Sequence, residues 1–165
     1  MPRNIELKMR VQDIDAVRNI LRSETGKSNP DQTLNQRDIF FNCPNGLLKL
    51  RTQNNEKNGR LIHYERETKS DAKLSDYVIA STDDANTLKA VTKVRELWLI
   101  GQTRVHLDQV DGLGTFVEFE VVLRADQDRN DGVVIAESLT KTLQFENSER
   151  LTGAYAELLT PNCES

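Results

Sequence analysis

Charged side chains stand at every second position in several apolar segments of this chain. Ile5-Glu6-Leu7-Lys8-Met9-Arg10-Val11 opens the series and Phe116-Val117-Glu118-Phe119-Glu120-Val121 closes it. The residues that could do chemistry are Glu6, Lys8 and Arg10; Lys49 and Arg51; Tyr64 and Arg66; Lys93 and Arg95; Arg104, His106 and Asp108; and Glu118 and Glu120. Lysine and arginine donate to phosphate oxygens, arginine through a bidentate fork, whereas carboxylates hold hard divalent cations. A polyphosphate carrying a metal ion would satisfy both signs at once.

Alternation with period two is the signature of a strand, whose successive side chains point to opposite faces. Strands are therefore expected near Asn4–Val11, Arg37–Phe41, Leu47–Arg51, Arg60–Thr68, Tyr77–Ala80, Lys93–Leu99, Gln102–Leu107 and Thr115–Arg124. Asp13 reads as the N-cap of a helix bearing Ile14, Val17, Ile20 and Leu21, with Gly26 as its stop. The polar, proline-bearing segment Lys27–Gln36 reads as a loop, Cys43-Pro44-Asn45-Gly46 and Asn54–Gly59 as turns, and Lys69–Asp76 as a polar connection. Ser81–Val91 fits a short helix, Val133–Leu143 a helix with Ile135 and Leu139 inward, and Glu149–Leu159 a terminal helical piece interrupted by Gly153.

A sheet with one charged and one apolar face is most commonly an open antiparallel sheet with a wet side. About eight strands can also close into a barrel, which removes the edges an open sheet must protect. An apolar interior would make a lipid-binding barrel and leave the amphipathic helices without a packing surface. Helices laid on an apolar exterior instead leave a charged lumen, tolerable only if its charges pair with each other or with a ligand. The expected fold is α+β: a closed antiparallel eight-stranded β-barrel with a charged interior and flanking helices.

The 165 residues are expected to form a single domain over 1–165, able to bury about 70% of the surface an unfolded chain exposes. The formal net charge of -4, from 22 basic and 26 acidic residues, argues against nucleic acid or an anionic membrane as partner. No run approaches the roughly 20 apolar residues of a membrane span, and the charged start lacks a secretory core, so a soluble cytoplasmic protein is expected. Cys43 and Cys163 have no metal-type spacing and are expected as reduced thiols. Trp98 is expected in the outer core, His63 on the outer face, and His106 within a polar network.

Several segments resemble the CYTH, or triphosphate tunnel metalloenzyme, family, particularly its class IV adenylyl cyclase-like members. They are Asn4-Ile5-Glu6-Leu7-Lys8, Arg37-Asp38-Ile39-Phe40-Phe41, Leu48-Lys49-Leu50-Arg51, Tyr64-Glu65-Arg66, Lys93-Val94-Arg95, the long run from Thr103 to Glu120, and Leu151–Leu159. The resemblance implies that Glu6, Glu118, Glu120 and Asp108 serve a Mg²⁺ or Mn²⁺ ion. It implies that Lys8, Arg10, Lys49, Arg51, Arg66, Lys93, Arg95 and Arg104 line the phosphate path, with Glu6, Lys8 and Arg66 in the catalytic set. The chain departs from the family pattern at Asn4, which replaces a glutamate, at Phe40, which replaces a tyrosine, and at Glu65-Arg66, which replaces a lysine-bearing strand. The expected activity is metal-dependent hydrolysis of an inorganic, nucleoside or organic triphosphate. The alternatives are conversion of ATP to cyclic AMP and pyrophosphate, or triphosphate binding without turnover.

Overall fold

The computed structural model describes residues 3–41, 47–54, 56, 58–66, 73–82 and 89–159, with the side chains of all but 64–66, 73–82 and 89. Cys43 and Cys163, the turn at 43–46 and residues 83–88 lie outside them. The elements run in the order β1 (Arg3–Arg10), α1 (Ile14–Thr25), β2 (Gln32–Phe41), β3 (Leu47–Gln53), β4 (Gly59–Arg66), β5 (Lys73–Thr82), β6 (Lys89–Ile100), β7 (Thr103–Val110), β8 (Gly114–Val122), α2 (Arg129–Thr142), β9 (Arg150–Leu151) and α3 (Tyr155–Leu158). No helix among the described residues is long and apolar enough to cross a membrane.

All strand pairs are antiparallel, in the order β5-β4-β3-β2-β6-β7-β8-β1-β9, and β5 also pairs with β1. The expected closed eight-stranded barrel is met only in part: the strands form one antiparallel sheet that does not close fully, its last seam between β5 and β1 being short. β1 meets β5 only from Arg3↔Asp76 to Glu6↔Lys73, and beyond it the two-residue β9 takes the edge at Lys8↔Leu151 and Met9↔Arg150. The sheet thus curls back on its first strand, with the edge of β1 divided between two partners.

Alternation sorts the faces. Leu7, Met9, Trp98, Val105, Leu107, Val117 and Phe119 cluster with Val17 and Leu21 of α1 on the outside of the curl. Asp13 starts α1 by accepting the backbone N–H groups of Asp15 and Ala16, both at 3.0 Å, and Gly26 ends it at φ 67°, a conformation that costs glycine little. α2 covers Ile5 and Val121 through Ala136. Its Asp128–Asp131 capping box starts it four residues before the expected Val133. Gly132 lets it approach, because a Cβ there would sit 2.4 Å from Ile5 Cγ1. Each fully buried leucine or phenylalanine of these clusters contributes about 1.5–3 kcal/mol by leaving water.

Four boundaries differ from expectation. The supposed loop 27–36 contains the first half of β2, held by pairs such as Gln32↔Leu97 and Gln36↔Lys93. The supposed helix over Ser81–Val91 instead yields to strands at both described ends, β5 to Thr82 and β6 from Lys89, because Ile39↔Ala90 and Asp38↔Val91 place that backbone in the ladder. β5 begins at Lys73, inside the supposed connection 69–76, and the terminal helix is limited to α3 after β9.

Candidate functional site

The inner face of the curl encloses a cavity of about 690 Å³. Among the described residues, seven lysines and arginines (Lys8, Lys49, Arg51, Arg60, Lys93, Arg95 and Arg104) and four carboxylates (Glu6, Asp38, Glu118 and Glu120) line it. Strand parity brings them there. Glu6 and Lys8 on β1 face Glu120 and Glu118 on β8, Arg104 on β7 faces Glu120, and Asp38 on β2 faces Arg51 on β3.

Three carboxylates organise most of the cations. Asp38 accepts from Arg51 Nε and Nη2 at 2.7 and 2.6 Å and lies 3.3 Å from Lys49 Nζ. Asp108 takes Arg95 Nε and Nη2 at 2.7 and 2.5 Å, Lys93 Nζ at 3.3 Å and the Tyr155 hydroxyl at 2.8 Å. Glu118 accepts from Arg95 Nη2 at 2.7 Å, with Lys8 Nζ at 3.4 Å and His106 Nδ1 at 3.5 Å. Burial alone would raise all three carboxyls. The facing cations outweigh it and hold each well below the usual carboxylate range, Lys49 and Arg51 acting on Asp38, Arg95 and Lys93 on Asp108, and Lys8 and Arg95 on Glu118.

The lysines respond in the opposite sense. Burial, then repulsion from Arg95, lowers Lys93 to about 7 despite Asp108. Burial, then repulsion from Arg51, lowers Lys49 to about 8 despite Asp38. His106 is pushed down to about 4 by burial and Arg95, so it is neutral near pH 7. Burial is the first cause for both lysines and a neighbouring guanidinium the second, so a bound polyanion would favour their charged forms.

Glu120 differs from the other acids. Burial raises its pKa, Arg104 at 3.3 Å opposes the shift, and the charges of Glu6 and Glu118 reinforce it. Asn4 Nδ2 donates to Glu120 Oε1, while the buried Asn4 Oδ1 finds no donor among the described residues. No group of three His, Cys, Asp or Glu side chains among the described residues forms a ready cation cage. The directly opposed Glu6 and Glu120 nevertheless fit an ion shared with substrate, because Mg²⁺ commonly takes one or two carboxylates plus phosphate oxygens.

The structure separates some residues that the sequence grouped. Arg10 is exposed, donates to the Leu113 carbonyl at 2.9 Å and stacks 4.8 Å over Phe116, outside the cavity lining. This placement follows from β1 reaching the end of its ladder opposite Phe116. Asp108 is completely buried behind the lining, where four donors occupy it, and so serves as counter-charge to Lys93 and Arg95. Arg66 is in β4, but its side chain lies outside those described. Trp98 is fully buried in the outer core, as expected.

Other contributors were not singled out from sequence. Asp38 and Gln36 face inward on β2; reading Lys27–Gln36 as loop hides Gln36, whereas Asp38 lies in the expected strand Arg37–Phe41 without being assigned to the charged face. Tyr155 enters from α3 and carries Lys8 Nζ 4.0 Å and Lys93 Nζ 5.0 Å from its ring centroid. It packs at 4.9 Å on Phe116, and with Val91 and Val110 the two rings form an apolar cluster on the inner side. No sequence period could have linked a four-residue helix to the inner face of the sheet.

The arrangement has close structural counterparts. The PH1012 protein from Pyrococcus horikoshii OT3 superposes with a TM-score of 0.80 at 19% identity, over 95% of this chain and 99% of that one. A proposed adenylate cyclase from Vibrio parahaemolyticus gives 0.72 at 21%, over 96% and 98%. Another from Bacillus halodurans gives 0.63 at 13%, over 98% and 100%. At these identities the likeness concerns the fold, and no curated protein matches the sequence. The CYTH domain family model, however, matches residues 2–155, almost the whole of the chain. This protein therefore belongs to the CYTH domain family.

Proposed function

We propose that the cavity binds a triphosphate compound together with Mg²⁺ or Mn²⁺ and hydrolyses it, with the curled sheet acting as a closed tunnel around the phosphate chain. The observation that carries this reading is the cationic excess of the lining, in which burial and neighbouring guanidinium groups depress both Lys49 and Lys93. The β1–β5 pairing supports the tunnel.

Arg104 brings a planar guanidinium to phosphate oxygens, Arg51 and Arg95, whose Nε and Nη2 are held by Asp38 and Asp108, add charge through the rest of their guanidinium groups, and Lys49 and Lys93 add point charges. Lys8 exchanges its contact with Glu118 for phosphate as the substrate enters. Arg66 belongs to this set by its family position, and Arg60 adds a further cation to the lining. Glu6 and Glu120 would hold the metal, with Glu118 nearby, and the ion would offset charge developing on the transferred phosphoryl group. Water attacks phosphorus as the bond to the bridging oxygen breaks, releasing orthophosphate from the terminal position or pyrophosphate from an internal one. The protein residues contribute orientation and preorganised charge rather than covalent chemistry.

The test incubates the protein with inorganic triphosphate or ATP in Mg²⁺ or Mn²⁺ and resolves orthophosphate, pyrophosphate and cyclic nucleotide. Metal-dependent phosphate release is expected, with Glu120→Gln lowering kcat by about 10²-fold or more. Cyclic AMP accompanied by pyrophosphate would select the cyclase reaction. Binding without product would leave only the triphosphate-binding part of the proposal.

A further inference from the structure

His106 sits between two carboxylates of the cavity and has no part in holding phosphate. Alternation along β7 puts it on the inner face between Arg104 and Asp108, and the ladder sets it directly opposite Glu118, with Glu120 two residues further along β8. Its ring meets both acids: Nδ1 lies 3.5 Å from Glu118 Oε2, and Nε2 lies 3.9 Å from Glu120 Oε2. Nδ1 is enclosed and makes no hydrogen bond among the described residues, so the ring reaches the cavity through its other edge, which carries Nε2.

Glu120 offers one oxygen on that side. Asn4 Nδ2 donates to its Oε1, which leaves Oε2 as the oxygen turned toward His106. Arg104 Nη1 lies 3.3 Å from Oε1 and 3.4 Å from Oε2, longer than the charge-assisted bond of about 2.7–2.9 Å, and its side chain is 41% exposed, with room to turn toward an arriving phosphate. Two ligands held about 2.1 Å from one divalent ion stand about 3.0 Å apart in adjacent positions and about 4.2 Å apart in opposite ones. The 3.9 Å between Nε2 and Oε2 falls inside that span. Behind the ring, Glu118 occupies the place where a metal-bound histidine donates its other ring N–H to a carboxylate, which aims the free lone pair at the ion. No group of three such side chains forms a cage among the described residues, so water and phosphate oxygens must fill the remaining positions.

Resting on the metal-dependent reading proposed above, the geometry points to His106 Nε2 as a nitrogen ligand of the ion at Glu6 and Glu120, so that this cavity prefers Mn²⁺ to Mg²⁺. Mg²⁺ favours an all-oxygen octahedron and gains little from imidazole, whereas Mn²⁺ accepts it and the later first-row ions bind it more tightly still. Asn4 contributes by holding Glu120 to a single available oxygen, which keeps the place beside it for the imidazole.

Electron spin echo modulation of bound Mn²⁺ tests this on the full chain without a histidine tag, in the presence and absence of inorganic triphosphate. Modulation from one imidazole ¹⁴N is expected. The chain has two histidines, and His63 is the control, because it follows the cavity-lining Ile62 on β4 and has the opposite parity. The signal should persist in His63→Gln and disappear in His106→Gln. In the unaltered protein grown on ¹⁵N-histidine it should move to the ¹⁵N frequency, a readout that needs no substitution. In titrations followed by the free Mn²⁺ resonance, the unaltered protein should bind Mn²⁺ about tenfold or more tightly than Mg²⁺, the latter measured by displacement. His106→Gln should weaken Mn²⁺ by about tenfold or more and leave Mg²⁺ within about threefold. Bound Mn²⁺ without nitrogen modulation, modulation that survives His106→Gln, or equal losses of the two ions overturns the nitrogen ligand while sparing an ion at the carboxylates. No bound Mn²⁺ under either condition overturns both.

Discussion

Lys93 is held at about 7 and Lys49 at about 8, with burial the first cause and Arg95 or Arg51 the second. A phosphate chain favours their charged forms. Below about pH 7 both are already protonated, whereas above pH 8 binding must return protons to them. Triphosphate affinity should consequently fall between pH 7 and 9, by up to about tenfold per pH unit for each lysine. Calorimetry at pH 8 in buffers of different ionisation enthalpy should record proton uptake. A flat affinity profile with no uptake would remove these lysines from the phosphate site. Asp38 supplies a second test, because Asp38→Asn leaves Arg51 and Lys49 without their shared carboxylate. The unliganded variant should lose about 3–5 kcal/mol, and triphosphate should raise its melting temperature more than that of the unaltered protein. The same carboxylates define acid sensitivity. Asp38, Asp108 and Glu118 are depressed below their ordinary values, so their stabilisation is complete above those values and is lost as pH falls below about 4.

Strand parity explains how much of this site could be read from one dimension. Where one face alternated cleanly, as in Glu6/Lys8, Lys93/Arg95 and Glu118/Glu120, the period alone assigned the correct side. Asp13 and Gly26 likewise marked both ends of α1. Parity failed at Arg10, where β1 runs out of cavity, and in the first half of β2, where polar residues occupy both faces and the ladder with β6 supplies the strand. Asp108 shared the charged face but became a buried counter-charge once Tyr155 arrived from α3. Close packing gives an element-level test at Gly132, where a Cβ would fall 2.4 Å from Ile5 and 2.7 Å from Leu123. Gly132→Ala should force α2 off the sheet and cost about 1–3 kcal/mol despite alanine's better helix propensity. Urea unfolding will show whether this clash outweighs propensity; an unchanged or higher midpoint would contradict such close contact.

Across the molecule, charge is segregated: the chain carries a formal -4, yet its described cavity lining has seven basic residues against four acidic ones. The core sits outside the curl beneath α1 and α2, which leaves the inner surface free for recognition and places its polar strain in the unliganded protein. Ligand binding should therefore stabilise the whole fold. At a free triphosphate concentration near 100 times Kd, linkage gives about 2.7 kcal/mol, or a rise of about 5–10 °C in Tm for a protein of this size. Differential scanning calorimetry with and without triphosphate and Mg²⁺ measures it. Asp38, Asp108 and Glu118 also give the cavity a resident set of competitors for its own cations. A long polyanion can displace several of these contacts together, whereas a single orthophosphate replaces too few to win against carboxylates already in place. On the proposed reading the interior should select by valency, and shortening the phosphate chain should hand the cations back to the carboxylates and favour release of the fragments.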